Sequence, residues 1–253
     1  MENAITYSPL ASTVMAAVRA LDGPTVRDAL LQSLLTSGVD DTVTEVVMPV
    51  LHAVGDGWER GDLGVLHEHF VSSTFRGVLG ELRMPMQGDQ LRTVVLACPP
   101  RELHDLPLEL FGAMLHARWW RVVSLGANTP MVAVGEAVRF LEADACVLAG
   151  VRRSAFESRI SSLTRLAERV PLFLAGEGAL SLPTPPAGAT VLPRDLRPAA
   201  ATVDAIAPST SRNNDRPALP AGMFSRCRYQ TTPDEGSRPM PPPSLVENGP
   251  SMA

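Results

Sequence analysis

Apolar residues in the first third of the chain recur every three or four positions, a spacing that predicts α-helices. The pattern divides into four segments, with breaks at Asp22–Gly23, at Gly38 and around Gly61. Asp62 is a predicted N-terminal cap for the fourth helix. Four helices joined by short connections favour an up-and-down bundle, which we assign to residues 8–85.

The period of the pattern changes beyond residue 90. Strands that alternate with helices indicate a parallel sheet, and strands that are apolar throughout indicate that both faces are covered. We therefore predict a five-stranded, doubly wound α/β domain of the Rossmann or flavodoxin-like type over residues 90–205. Its ligand is expected beyond the carboxyl ends of the strands, where the strand order reverses. The predicted strands are residues 93–98, 121–126, 145–150, 171–176 and 190–193, and the predicted helices are residues 103–118, 131–142 and 154–169.

Residues 207–253 have a third composition, dominated by Pro, Ser, Asn and Gly. Their apolar residues are too sparse to bury a core, so we predict a disordered tail. The proline run at 241–243 could bind a partner that recognises polyproline, but a plain tail is the favoured interpretation.

Charge and cysteine content exclude several classes of protein. The net charge of −5 and the pI near 5.6 argue against direct nucleic-acid binding, which needs a basic face. Cys98, Cys146 and Cys227 are widely spaced and form no CxxC pair, which argues against a disulfide framework or a zinc site. No apolar run is long enough to cross a membrane and no secretory leader is evident, so we expect a soluble cytoplasmic protein.

The third and fourth predicted helices carry an indole and an acid–base pair at one end of the bundle. Trp58 precedes the connection between these helices, and Glu68 and His69 follow it. Because the two helices run antiparallel, the heights of Trp58 and Glu68 along the bundle differ by only about 3 Å. Such a group could cover a large flat ligand with polar edges. The alternative, a core tryptophan beside a solvated Glu–His pair, is favoured on spacing alone.

A second candidate site is the stretch PPRELHDLP, residues 99–107, in the loop after the first predicted strand. A neutral imidazole such as that of His104 is a good ligand for a transition metal, and its second nitrogen needs an orienting carboxylate. Glu102 or Asp105 could supply that carboxylate. A surface histidine near the start of a helix is an equally good explanation of His104 taken by itself.

Glycines mark the end of the fourth predicted strand, in the stretch LAGEGA. Gly176 and Gly178 lack side chains and therefore allow a ligand to approach the backbone closely. Strand ends of this kind are common in α/β folds, so this signal is weak.

The two motifs together resemble the cobalamin-binding module of the light-responsive, cobalamin-dependent MerR-type regulators, the CarH/LitR group. Trp58, nine intervening residues and Glu68–His69 reproduce the Trp-x9-Glu-His motif of that group. Glu102 and His104 match its Asp/Glu-x-His loop. The resemblance covers about residues 20–195.

The resemblance implies a cobalamin held between the bundle and the α/β domain. It implies that Trp58, Glu68 and His69 lie around the upper face and that His104 is the lower axial ligand of cobalt. Adenosylcobalamin is the favoured form, and methylcobalamin is compatible with the same site. Six further residues complete the predicted cofactor contacts: Glu102, Asp105, Gly126, Ala149, Gly176 and Gly178.

The chain departs from the pattern of the group at four positions. Pro107 replaces the glycine of the histidine loop, which removes a donor and restricts the turn. Ala149 stands where the group has a serine, and Ala175–Gly176 replaces a Gly-Gly pair. Glu59 follows Trp58 where the best-known light sensors carry a histidine, so the histidine adduct of those sensors is not expected here.

Three functions are compatible with these motifs. The Trp-x9-Glu-His motif favours a stand-alone cobalamin sensor, in which light breaks the cobalt–carbon bond, the cap shifts and a partner protein receives the signal. Too few residues precede the bundle for the MerR DNA-binding domain. The alternatives are a corrinoid carrier for a methyltransferase and a degenerate module that has lost corrinoid. No turnover by this chain alone is expected, and the resemblance also allows a homo-oligomer.

Overall fold

The computed structural model describes residues 8–82 and 92–205, and the helical segment comes first. Ser8 and Asp22 cap the first two helices, each accepting a hydrogen bond from a backbone N–H in the first turn. The predicted bundle is therefore confirmed for the described residues. Its helices are α1 (Pro9–Arg19), α2 (Gly23–Asp41), α3 (Met48–Glu59) and α4 (Val65–Leu82), with a π-helical turn over Thr42–Val47.

Of two predicted helix boundaries, one is confirmed and one is wrong. The predicted break at Gly38 is confirmed, because this residue has non-helical backbone angles, with φ at 79°, and helical structure resumes after it to Asp41 and into the π-helical turn. Asp62 does not cap α4, because its carboxylate accepts a hydrogen bond from the Arg60 side chain at 3.0 Å. At the true start of α4, the Gly64 N–H donates instead to the His67 ring at 3.3 Å.

The second segment is a five-stranded parallel sheet with the strand order β2-β1-β3-β4-β5. The predicted doubly wound α/β fold is confirmed, and the strand order reverses between β1 and β3. The strands are β1 (Arg92–Ala97), β2 (Trp120–Ser124), β3 (Ala145–Ala149), β4 (Leu172–Ala175) and β5 (Ala189–Val191). The helices are α5 (Leu106–His116), α6 (Met131–Phe140), α7 (Ser154–Glu157), α8 (Ile160–Ala167), α9 (Glu177–Leu180) and α10 (Leu196–Asp204).

Two apolar cores cover the two faces of the sheet. One core joins the helical bundle to α5, α10 and the sheet face that carries Val94 and Leu96. The other packs α6 and α8 against the face that carries Val95 and Leu148. The apolar composition of β1 and β3 follows from this arrangement, because each is covered on both sides.

Two parts of the α/β domain were not predicted from the pattern. The stretch expected as one helix over residues 154–169 is divided into α7 and α8. The final helix, α10, packs through Ala199, Ala200 and Val203, and the carboxylate of its last residue, Asp204, pairs with Arg92.

Two further predictions concern the C-terminal tail and the absence of a membrane-spanning helix. The predicted tail at 207–253, with Cys227, lies outside the described residues. Within the described ranges, no helix has the length and hydropathy needed to span a bilayer.

Ion pairs also join the helical bundle to the α/β domain. The Arg118 guanidinium, just beyond α5, donates to Asp40 at 2.8 Å, and Arg197 of α10 donates to Asp41 at 2.7 Å. The kink at Gly38 lies immediately before both aspartates. This end of α2 therefore connects the two domains.

Candidate functional site

The candidate site lies at the switch point of the sheet, where the loops after β1 and β3 diverge to opposite faces. Glu102, in the β1–α5 loop, is buried, with only 3% of its surface exposed. Its backbone carbonyl accepts a hydrogen bond from Asn128 N–H at 2.8 Å, and its Oε2 accepts one from Val151 N–H at 2.7 Å. One residue thus connects the loops that follow β1, β2 and β3.

His104 stands beside this buried carboxylate with its ring directed outward. The ring Nδ1 lies 2.7 Å from Glu102 Oε1, and the His104 N–H donates to the same oxygen at 3.1 Å. The imidazole itself is 64% exposed. A carboxylate at Nδ1 favours the tautomer with the proton on that nitrogen, so Nε2 is left as the lone-pair donor. Of the two predicted orienting carboxylates, Glu102 has this contact.

The electrostatics of the loop favour an ionised carboxylate. Burial raises the pKa of Glu102, but hydrogen bonds from the His104 ring and from the His104 and Val151 amides lower it by more, so its pKa lies below the ordinary value. Beneath the loop, burial raises the pKa of the Cys98 thiol to about 12. Cys98 is therefore a neutral thiol at pH 7.

Asp105 connects the histidine loop to the helical domain. Its Oδ1 accepts a hydrogen bond from Arg76 of α4 at 2.6 Å. Arg76 lies three residues beyond Ser73, seven beyond His69 and eight beyond Glu68. These spacings place Arg76 and the Glu–His pair on one side of α4. Seven residues of helix span about 10 Å. The Glu–His pair therefore stands about that distance along α4 from Arg76, the residue that contacts the His104 loop.

The upper group lies around a tight hairpin between α3 and α4. Asp62 and Leu63 N–H groups both donate to Gly57 O, at 2.8 and 3.0 Å. Trp58 lies just before this hairpin, and 54% of its surface is exposed. Glu68 and His69 are also exposed, 3.5 Å apart, in the first turns of α4. These side chains are thus accessible at one end of the bundle, whereas a core tryptophan would be buried.

The remaining predicted contacts lie at the ends of the other strands. Gly126 follows β2, and an added Cβ there would lie 3.8 Å from Asp105 Oδ2. Ala149 is the last residue of β3 and pairs in register with Ala175. Contact of Gly126 and Ala149 with a cofactor stays a prediction.

The structure corrects the predicted reason for the two glycines after β4, which was to let a ligand approach the backbone closely. A Cβ at Gly176 would lie 2.6 Å from Gly150 O, and one at Gly178 would lie 2.5 Å from Arg152 O. The space left by the missing side chains is therefore filled by the backbone of the loop after β3. Gly178 is buried there, whereas Gly176 is exposed. Contact of either residue with the cofactor stays a prediction.

We expect Gly178→Ala to lower the free energy of unfolding by about 1–3 kcal/mol, because the added methyl group meets backbone atoms that cannot rotate away. Gly77→Ala is the matched control. It lies within α4, where a methyl group meets no described atom within 4 Å, and it should stabilise by up to about 1 kcal/mol. Urea unfolding of both variants measures the difference, and equal stabilities would contradict this packing.

Pro107 occupies a position that tolerates proline. It is the second residue of α5 and its side chain is exposed. An N–H in the first turn has no partner within the helix, so proline removes nothing that the helix uses. The helix therefore tolerates Pro107 at the position where the CarH/LitR group has the glycine of the histidine loop.

Comparison with known proteins identifies the helical segment. The family model "B12 binding domain" matches residues 10–83. The helical segment thus matches a B12 binding domain. Cobalamin is therefore the cofactor of the module, and the match places α1 to α4 in it.

Curated relatives extend the similarity beyond the B12 binding domain. The chain is 36% identical over 161 residues to the HTH-type transcriptional repressor CarH of Myxococcus xanthus, covering 63% of this chain and 53% of the relative. It is 28% identical over 166 residues to the repressor CarA of the same organism, covering 64% and 56%. The chain thus spans about half the length of these relatives. The recognised likeness to the cobalamin-binding region of CarH-type regulators is confirmed.

A solved structure shares the fold. The monomethylamine corrinoid protein of Methanosarcina barkeri aligns with a TM-score of 0.60 at 16% identity, covering 75% of this chain and 94% of that protein. At this identity the likeness concerns the architecture alone, a helical domain followed by a doubly wound sheet.

The donor set of the site fits cobalamin. A corrin ring already supplies four nitrogen ligands to cobalt, so a single further donor from the protein would be enough to ligate the metal. His104 offers that donor on an exposed ring whose other nitrogen is fixed by a buried carboxylate.

The pattern of the sequence did not predict the polar contacts that position this loop. Arg76, Asn128 and Val151 all bind it from distant segments. A periodic apolar pattern carries no signal for such contacts. The one hint in the sequence was the side of α4 around Arg76, which carries no apolar residues and could have suggested an exposed functional surface.

Proposed function

We propose that this chain is a cobalamin-dependent sensor that responds to light and passes its signal to a partner protein. The observation that carries the proposal is the Glu102–His104 pair at the switch point, which presents one oriented imidazole nitrogen toward solvent. The similarity to CarH and CarA, whose names describe transcriptional repressors, supports a regulatory role.

The lower side of the site is built to hold an axial ligand in one orientation. Glu102 holds the proton on His104 Nδ1 and is itself fixed by the Val151 amide. The ring therefore does not have to be ordered when the cofactor binds, which saves conformational entropy. We assign His104 as the cobalt ligand and Glu102 as its positioning residue.

The upper side is assigned to α3 and α4. The exposed indole of Trp58 provides a flat apolar surface, and Glu68 and His69 provide polar groups at its edge. When bound, adenosylcobalamin supplies a cobalt–carbon bond that is sensitive to light. Trp58, Glu68 and His69 would surround the adenosyl group and exclude water from it.

The Arg76–Asp105 pair supports communication between the two sides. It joins α4, which carries the upper residues, to the residue that follows His104. A change in the packing of the cap is therefore transmitted to the histidine loop through a direct contact. This gives the bundle the role of a two-state element whose populations the cofactor biases.

A corrinoid carrier for a methyltransferase is the second candidate function, because an oriented axial histidine serves a carrier equally well. The two functions differ in their response to light. A carrier exchanges methyl groups with a methyltransferase, and its upper face has to open to that enzyme.

We expect the full-length protein loaded with adenosylcobalamin in the dark to retain the corrinoid through gel filtration and to change its absorption spectrum under green light. Methylcobalamin loaded in parallel tests whether the adenosyl group is preferred. A retained corrinoid whose spectrum is unchanged by light would favour the carrier. A colourless protein would reject cobalamin binding by this chain and favour the degenerate module.

A further inference from the structure

A groove of about 610 Å³ lies on the far side of the sheet from the helical bundle, between α6 and α8. Its lining includes Gly135, Glu136 and Arg139 of α6, with Arg165 and Arg169 from α8 and the turn after it. This groove, the α6–α8 groove, takes no part in the site described above.

The groove is basic on a protein that is acidic as a whole. Three arginines line it against one glutamate, whereas the whole chain carries a net charge of −5. Arg165 donates to the Ser162 hydroxyl at 3.3 Å. Within residues 8–82 and 92–205, Arg139, Arg165 and Arg169 make no ion pair. Arginines grouped in this way favour an acidic ligand.

The same surface exposes large apolar side chains. Val132 and Phe140 are 69% and 85% exposed, the most exposed large apolar residues in the described part of the chain. They lie eight residues apart on α6. Val132 lines the groove with Glu136 and Arg139, whereas Phe140 follows Arg139 and is not part of the lining. Gly135, between them, leaves open space where an added Cβ would stand. An apolar strip beside a basic row fits an amphipathic segment better than it fits a nucleic-acid backbone.

The loops that lead to the two walls of the groove both bind Glu102. Asn128, whose N–H donates to Glu102 O, precedes α6 by three residues. Val151, whose N–H donates to Glu102 Oε2, precedes α7 and α8. Glu102 therefore contacts the loop that leads into α6 and the loop that leads, through α7, to α8.

We propose that the α6–α8 groove binds an acidic, amphipathic helical segment of a partner protein. The charge of the groove argues against a second copy of this chain as the occupant, because two such surfaces would bring six arginines together against two glutamates. The inference deepens the proposed function by giving the surface through which a signal leaves the protein. Binding at the groove is measured without cobalamin, so a failure there is distinct from a failure of the proposed function.

A synthetic helical peptide tests the proposal on the full-length protein. The probe is a fluorescein-labelled peptide of about 14 residues, about 21 Å long, with Glu on one side and Leu on the other. A matched peptide carries Lys in place of every Glu. We expect fluorescence anisotropy to show saturable binding of the acidic peptide alone. Hydrogen exchange should show protection of α6 and α8.

Variants connect the binding to the groove. Arg139→Glu and Arg165→Glu should each weaken binding of the acidic peptide about tenfold, because each places a like charge against the probe. Phe140→Ser should also weaken binding without affecting the fold, because this side chain is exposed. Arg19→Glu, on α1, makes the same change in net charge and should leave binding unaltered.

Five results would overturn the proposal. The first three are absence of binding, equal binding of the lysine peptide, and affinity that the groove variants leave unchanged. The fourth is displacement of the acidic peptide by a single-stranded oligonucleotide, which would make the groove a nucleic-acid surface. The fifth is concentration-dependent dimerisation abolished by Arg139→Glu, which would assign the groove to a second copy instead.

Discussion

Replacing His104 by alanine is expected to abolish axial coordination and to weaken retention of cobalamin at least about a hundredfold. Loss of an outer partner of a metal ligand commonly costs about 10–100-fold in affinity, and the ligand itself should be worth no less. The absorption spectrum of any corrinoid that remains should be that of a cofactor without an imidazole from the protein. Equilibrium dialysis in the dark gives the affinity, and the spectrum gives the coordination.

The fold should survive this change. The His104 ring is largely exposed, and Glu102 keeps the hydrogen bonds from two backbone amides. Loss of one hydrogen bond then costs about 1 kcal/mol. The effect on cobalamin should therefore be far larger than the effect on thermal unfolding.

A control and a rescue make the result specific. His52→Ala removes another exposed imidazole, on α3, and should leave retention and spectrum unchanged. Imidazole added to the His104→Ala protein should restore the axial spectrum, because it can occupy the space of the deleted ring. An unchanged spectrum in His104→Ala would reject this residue as the cobalt ligand.

The site on the α/β domain could be predicted from sequence because it depends on local order along the chain. The apolar pattern predicted the position of β1. In the loop that follows, Glu102 is only two positions from His104, so the two residues are close in any conformation. The switch point then follows from the topology of doubly wound sheets. Glu102 and His104 were therefore accessible from the sequence. The residues alone left Asp105 open as the partner of His104, and the match to the Asp/Glu-x-His loop favoured Glu102.

The contacts between distant segments could not be predicted. Arg76 and Asp105 are 29 residues apart, and Arg118 and Asp40 are 78 apart. Their pairing depends on how the bundle packs against the sheet, which no short-range pattern encodes. The break at Gly38 was predicted, but the π-helical turn that follows it was not, and the nearby Asp40 and Asp41 pair with arginines of the other domain.

Glu102→Ala is expected to have the largest effect on stability of any single change at the site. The carboxylate accepts three hydrogen bonds while buried, and its removal leaves the Val151 amide without this acceptor. Hydrogen bonds to charged groups contribute about 1.5–3 kcal/mol each. We expect the free energy of unfolding to fall by about 3 kcal/mol. Retention of cobalamin should fall about 10–100-fold, because His104 loses its orienting partner.

The pH dependence separates the charge of Glu102 from its shape. Its pKa in the folded protein lies below the ordinary 4.5, so its stabilising contribution is fully present above pH 4.5 and is lost as the pH falls through the folded-state value. The difference in unfolding free energy between the native protein and Glu102→Gln should therefore be constant at neutral pH and shrink in acid. Urea unfolding of both proteins across this range measures the difference.

Glu168→Ala, an exposed position after α8, should change stability by less than about 0.5 kcal/mol and serves as the control. A difference that persists unchanged in acid would show that the ionised carboxylate does not hold the histidine loop.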